Sequence, residues 1–461
     1  MKTLIANGTI VTPEETRRAD LLFENGRVAA VGRGLATGRA ANGAAVVDAS
    51  GMLVFPGGVD AHTHITLDAD ASRGSGVFFN GTVPAVMGGT TTIIDHMAFA
   101  PGRRPRDQYA LYRELADGRC VPDYGFHGVV QSLDAHTLTD LEFLAAEGCT
   151  SVKAYMTYDA RLSDAELLRL LRKTRELGML LTVHAEDHEP IQRLRNQYIR
   201  MGKGTPEWHA KSRPASCEAD AVARLLRLAG QAGNAPVYVV HLSTAAGLEA
   251  IRKARASGQT HIYAETCTQY LTLTEDLYKD PVEGLRYIMA PPLRARADVE
   301  ALWEGVADGG IQTVATDHCS FTVSRKMRGL HDFTRCPGGI PGLEERLTVL
   351  YSEGVAKGRI SVRRFVEAVS TAPARLFGLW SQKGSLAPGS DADAVIFNPG
   401  AEHVLTASEL HGPGDYSAYE GLPLTGRVET VFLRGIQVAD KNAFTAGRGC
   451  GRYLQRLHGL L

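Results

Sequence analysis

Several ingredients are scarce or missing, and each absence removes a class of protein. There are seven cysteines in 461 residues, an odd number with no C-x-x-C pair. Neither a disulfide framework nor a cysteine zinc site is therefore expected, and the thiols read as reduced. No run approaches the roughly 20 apolar residues that cross a bilayer, so no membrane partner is expected. The opening Met1-Lys2-Thr3-Leu4-Ile5-Ala6-Asn7-Gly8 turns polar too early for a secretory signal, which makes the cytoplasm the expected location. No dense Lys/Arg run occurs and the formal net charge is -1, so no basic face is available to nucleic acid. A G-x-S-x-G elbow is also missing, which removes the usual seat of a hydrolase serine. What remains, 44% hydrophobic and 22% charged residues, is the balance of a soluble globular protein with a large core.

The two chain ends read as strands. Leu21-Leu22-Phe23 and Val28-Ala29-Ala30-Val31 flank Asn25-Gly26, a dipeptide suited to the positive φ angles of a type I′ hairpin turn. Ala394-Val395-Ile396-Phe397 and Val428-Glu429-Thr430-Val431-Phe432-Leu433 are β-like again, and a sheet shared by both termini would remove costly unpaired edges. Between them, short β-branched runs alternate with helical patterns. Strand candidates fall at 53–59, 91–95, 124–130, 150–155, 180–184, 237–241, 261–265 and 311–316, and eight is the number that closes a barrel. Ser163-Asp164-Ala165-Glu166 is a capping box opening the helix after the fourth of these. A doubly wound open sheet is the rival architecture. The polar residues favour the barrel, because histidines and an aspartate stand at the C-terminal ends of strands, where barrels collect their chemistry. The expected fold is α/β, a TIM-like (β/α)8 barrel over 53–380 with a small β-sandwich domain formed by 1–52 and 381–440, followed by a segment 441–461.

Asp60-Ala61-His62-Thr63-His64 places two imidazoles at i and i+2 of an extended segment, on one side and within reach of one metal ion. Alone, such a pair is as readily a packed or surface feature. His184 and His241, however, each end an apolar strand before a helix, and Asp317 ends the eighth strand and supplies a carboxylate for ligation and proton transfer. Lys153 sits inside the fourth strand, where a buried ammonium is costly unless it snorkels outward. Carrying a carbamate from carbon dioxide, it would instead offer two oxygens to a pair of cations roughly 3.5 Å apart.

These residues, with Phe55-Pro56-Gly57-Gly58-Val59-Asp60, Gly88-Gly89-Thr90-Thr91-Thr92, Lys153 followed five residues later by Tyr158, Glu265-Thr266-Cys267-Thr268-Gln269-Tyr270-Leu271, Pro291-Pro292-Leu293-Arg294 and Thr316-Asp317-His318-Cys319, resemble the hydantoinase/dihydropyrimidinase branch of the amidohydrolase superfamily. The match is ordered and covers nearly the whole chain. Ile94-Asp95-His96-Met97 and Pro373-Ala374-Arg375-Leu376-Phe377-Gly378-Leu379-Trp380 are similar to the bacterial D-hydantoinase members of that branch.

The resemblance implies that His62, His64, carboxylated Lys153 and Asp317 hold the more buried of two divalent metal ions, and that Lys153, His184 and His241 hold the more exposed one. It implies a hydroxide between the ions that attacks the ring carbonyl, Tyr158 stabilising the oxyanion, and Asp317 passing the proton to the ring nitrogen. The ligand set accepts zinc, manganese or cobalt. Two positions depart from the family pattern. Ala290 stands where serine is usual and Gly338 where asparagine is usual, both where the substrate amide is gripped largely by main-chain groups. Asp187 replaces a frequent asparagine and would add negative charge near the metals. Leu67, Tyr155 and Met156 are the expected apolar wall for the substituent of a D-configured 5-substituted hydantoin. His96, His127, His188 and His318 read as structural residues, with a supporting role behind the metal ligands as the alternative. A homotetramer is implied, with 441–461 helping to assemble it. Allantoinase and dihydroorotase share the metal site and are the nearest alternatives. A non-catalytic dihydropyrimidinase-like scaffold is a further one, and it would lack the ligands that this chain keeps.

Overall fold

The computed structural model describes residues 2–37, 41–67, 76–98, 100 and 102–457. Its centre is an eight-stranded parallel sheet made, in spatial and sequence order, by Gly58–Thr63, Thr90–His96, Asp123–Val129, Ser151–Tyr155, Leu180–His184, Val237–Val239, Ile262–Cys267 and Thr313–Ala315. Every neighbouring pair is parallel, and helices lie between successive strands. Period-two alternation sorts the side chains. Val152, Ala154, Leu181, Val183, Val237 and Val239 belong to the large core cluster that includes the helices, whereas Leu180, Tyr238 and Val240 cluster with Val59, Ala61 and Ile94. Lys153 alternates with Val152 and Ala154, and His184 keeps the parity of Leu180. Both therefore point away from the helices, toward the barrel axis.

The sheet is a nearly closed barrel. Among the described residues no ladder joins its first and last strands; the isolated bridge Thr63↔His318 lies just past the last strand, and side chains fill the seam. Thr316 Oγ1 donates to Asp60 Oδ2 at 2.7 Å. The fully buried Arg346 donates from one nitrogen to the Val59 and Val314 carbonyls at 3.0 and 3.2 Å, and from another to Thr90 Oγ1 at 3.0 Å.

The first strand candidate, 53–59, proves to be two strands in two sheets. Leu53–Pro56 pairs antiparallel with Ala394–Val404 and parallel with Thr9–Val11, and the barrel strand begins at Gly58. The chain changes sheet at Gly57, where a Cβ would lie 2.1 Å from Thr91 Oγ1, so no larger residue passes. The expected sheet shared by both ends is the seven-stranded one, with Thr16–Arg18 and Thr9–Val11 from the N-terminal side beside Leu53–Pro56, and Ala394–Val404, Pro423–Leu433, Ile436–Asp440 and Ala443–Phe444 from the C-terminal side. A four-stranded sheet from the N-terminal segment packs on it through Ile5, Leu21, Phe23, Val28, Val54, Ile396 and Phe432. Asn25 and Gly26, at φ 53° and 79°, make the expected hairpin turn, and the Ser163/Glu166 capping box is formed.

The guanidinium of Arg346 donates to main-chain carbonyls on both sides of the seam. Arg346→Met is expected to destabilise the fold by about 3 kcal/mol, since it strands buried acceptors. Thermal or denaturant unfolding measures this, and a variant as stable as the parent would mean that the strands close the seam unaided.

Candidate metal centre and cavity

His62 and His64 stand at the end of the first barrel strand, and Asp317 follows the eighth across the seam. His62 Nε2 and His64 Nε2 lie 3.1 and 3.2 Å from Asp317 Oδ1. The His62 contact lacks the alignment of a hydrogen bond. His62 Nδ1 donates to Glu265 Oε1 at 2.6 Å, which turns Nε2 toward the barrel mouth. Glu265 is itself held by the Tyr238 hydroxyl at 2.9 Å and the His241 amide at 3.1 Å. His184 donates from Nε2 to Glu186 Oε2 at 2.8 Å, and Arg213 pairs with the same carboxylate. The rings of His184 and His241 are 4.5 Å apart, those of His62 and His241 5.4 Å.

Electrostatics fits this corner to a cation. Burial alone would raise the Asp317 carboxyl, yet the His62 and His64 rings hold it well below the usual range. Burial and Lys153 both disfavour the His62 imidazolium, but Glu265 and Asp317 outweigh them and raise it to about 9. Burial keeps His184, His241 and His96 below the ordinary imidazole value, in the neutral form that carries a lone pair. His241 Nδ1 and both ring nitrogens of His96 are buried without a hydrogen-bond partner. Burial lowers the Lys153 amine to about 8, so a neutral, nucleophilic fraction exists near physiological pH. Burial lifts the Tyr158 phenol to about 12, so it remains a hydrogen donor.

A cavity of about 380 Å³ opens over these groups. His62, His64, Lys153, His184, His241, Asp317 and Tyr158 all line it, as do Leu67, Tyr155, Ala290 and Gly338. Met156 is not among the lining residues and packs in the core, 3% exposed; strand parity turns it to the side opposite Tyr155. Asp187 also lies outside the lining, and its carboxylate is answered by Arg224 at 2.7 Å. His127 bonds the Ala61 carbonyl and the Ser151 hydroxyl, and His318 Nδ1 accepts from the Gly342 and Leu343 amides, which are packing roles. Three of the lining residues, Tyr158, His241 and Asp317, hold φ of 70°, 40° and 53°. Positive φ is uncommon outside glycine, and such conformations collect at functional sites.

His96 departs from its sequence reading. It stacks 4.8 Å from His64, and the ring nitrogens of His62, His64 and His96 lie within 4.8 Å of one another, a group able to hold a metal ion. Its place at the end of the second strand was the available signal. Glu265 is not legible as the partner of His62, since that contact spans 203 residues, whereas Glu186 stands only two residues from His184 and its spacing was an available signal.

A nearly closed parallel barrel with a histidine group at its C-terminal mouth defines a class, and residues 53–438 match the model of the amidohydrolase family. The chain belongs to that family and, within it, to the hydantoinase/dihydropyrimidinase branch. It is 45% identical over 458 residues to the D-phenylhydantoinase of Escherichia coli O9:H4 (strain HS), covering 99% of this chain and 98% of that one. Among solved structures, the dihydropyrimidinase from Brevibacillus agri NCHU1002 superposes with a TM-score of 0.94 at 39% identity over 99% of both chains. The L-hydantoinase (dihydropyrimidinase) from Arthrobacter aurescens gives 0.90 at 31%, over 98% of this chain and 99% of that one.

Because Glu265 orients His62, Glu265→Ala is expected to weaken metal affinity about 10- to 100-fold. Competition against a graded chelator reads this directly, and unchanged affinity would remove Glu265 from the metal centre.

Proposed function

We propose that this chain hydrolytically opens cyclic amides, 5-substituted hydantoins and dihydropyrimidines, to N-carbamoyl amino acids. The observation that carries the reading is the convergence of His62, His64, Lys153, His184, His241, Asp317 and Tyr158 on one cavity, in a chain 45% identical to a D-phenylhydantoinase. His62, His64, Lys153 and Asp317 would hold one divalent ion, and Lys153, His184 and His241 a second, with zinc the first choice and manganese or cobalt also suited to this donor set. When bound, such ions supply a water ionised near neutral pH and polarise the carbonyl oxygen.

The chain's own residues do the rest. The neutral Lys153 Nζ would add to carbon dioxide, forming an N–C bond as one C=O π pair moves onto oxygen, and the amine proton would pass to solvent, leaving an anionic carbamate. Asp317, kept ionised by its two imidazole neighbours, accepts the proton of the attacking water and delivers it to the departing ring nitrogen. Tyr158 donates its phenolic hydrogen to the developing oxyanion. Ala290 and Gly338 offer main-chain groups to the ring amide, and Leu67 and Tyr155 face the substituent. The 45% identity to a D-phenylhydantoinase, against 31% to an L-hydantoinase, supports D preference. The family resemblance further supports a cytoplasmic homotetramer, with 441–461 in its assembly.

A ring-opening assay across hydantoins, dihydrouracil, allantoin and dihydroorotate, on protein reconstituted with zinc and bicarbonate, tests the substrate class. The expectation is preferential turnover of hydantoins and dihydrouracil, with D-phenylhydantoin faster than its L form; preference for allantoin or dihydroorotate would overturn it. Tyr158→Phe should lower kcat by about a hundredfold or more with metal content intact, since one oxyanion donor contributes roughly 2.7 to 4 kcal/mol. Undiminished turnover would take Tyr158 out of the mechanism.

A further inference from the structure

Lys326 ends the short helix Val323–Lys326 and is fully buried, yet among the described residues no carboxylate pairs with it. Its ammonium donates to two main-chain carbonyls, Ile288 at 2.7 Å and Pro337 at 2.9 Å. The contrast with Lys383 is instructive, because that equally buried lysine is surrounded by Asp123, Asp391 and Asp393. The Phe321 ring lies 5.7 Å from the same ammonium, but burying a cation on carbonyl dipoles and a ring face with no counter-charge is costly, and a purely packing role at this position is filled at less cost by methionine or leucine.

The two carbonyls belong to two separate segments that reach the same cavity. Ile288 lies two residues before Ala290, Pro337 directly precedes Gly338, and both Ala290 and Gly338 line the cavity. The Gly339 amide donates to the same Ile288 carbonyl at 3.0 Å, and the Met289 carbonyl accepts from His209 Nε2 at 2.7 Å. The residues flanking Gly338 are thus both tied to Ile288, one through Lys326 and one directly. Gly338 has no side chain to anchor it, and a Cβ there would meet nothing nearer than Met289 Cα at 4.0 Å. A glycine in open space is the most mobile backbone element available, so its position must be imposed from outside.

We propose that Lys326 is a positioning residue that fixes the spacing between the main chain at Ala290 and at Gly338, and so sets the width of the ring-binding end of the cavity. This rests on the reading that the ring amide is gripped there. A grip made by main-chain groups away from the reacting carbonyl acts on bound substrate and transition state alike, so its loss appears in KM and not in kcat. A residue that merely stabilised the fold would lower the melting temperature and leave the KM of the folded enzyme unchanged.

The test is steady-state kinetics of zinc-loaded Lys326→Met on the ring the parent turns over best, with metal content measured on the same sample. KM is expected to rise roughly tenfold while kcat changes by less than about twofold. Lys326→Gln, which keeps a donor but no charge, should recover part of the KM, and it decides the matter alone if the methionine variant does not fold. An active parent with unchanged KM in the folded variant overturns the positioning role only, and a fall in kcat equal to that in kcat/KM does the same. A parent inactive on all rings tested overturns this role together with the functional reading beneath it.

Discussion

The Asp60 carboxylate sits where the barrel must close and where its chemistry begins. It accepts from the His62 amide at 3.1 Å and from the Thr316 hydroxyl at 2.7 Å, one residue before Asp317. The first and last strands share almost no ladder of their own. This carboxylate and the Arg346 guanidinium therefore decide how far the His62-Thr63-His64 segment stands from Asp317. Without that link the two halves of the candidate metal centre belong to segments 256 residues apart in sequence.

The rest of the site follows from what burial does to charge. Burial leaves His184, His241 and His96 neutral and the Lys153 amine weakened, whereas opposite charges a few ångströms away keep Asp317 ionised and raise His62. Each imidazole that leans on a carboxylate is in turn braced. Glu265 holds His62, and Glu186, kept down to about 2 by Arg213 and His184 against its burial, holds His184. Left-handed backbone at Tyr158, His241 and Asp317 is a local cost that the surrounding hydrogen bonds offset. The histidines are braced by buried carboxylates, and the cavity wall is built from segments tied by main-chain contacts.

Much of this was legible in the sequence, for a definite reason. Strand ends carry the barrel's chemistry, and His184, His241 and Asp317 each terminate a short apolar run, so local periodicity was enough to find them. The illegible parts depend on contacts between distant segments. The run 53–59 looks like one strand, because a change of sheet at Gly57 leaves no mark on periodicity. Met156 follows a strand whose parity turns it inward to the core, and only the strand's end point reveals that. Asp187 reads in sequence as charge added to a metal site, whereas in the fold Arg224, 37 residues on, stands against it. Lys326 stands in a polar stretch where a lysine draws no notice, and its meaning lies in two carbonyls from other loops.

Metal and carbamate content of the whole protein is the most direct check on the central claim that Lys153, four imidazoles and Asp317 form one centre. After reconstitution with zinc and carbon-13 bicarbonate, the account predicts about two zinc ions and one labelled carbamate carbon per chain, with the label lost in Lys153→Ala. Protein that binds no zinc, or binds it with an unmodified Lys153 amine, would contradict it.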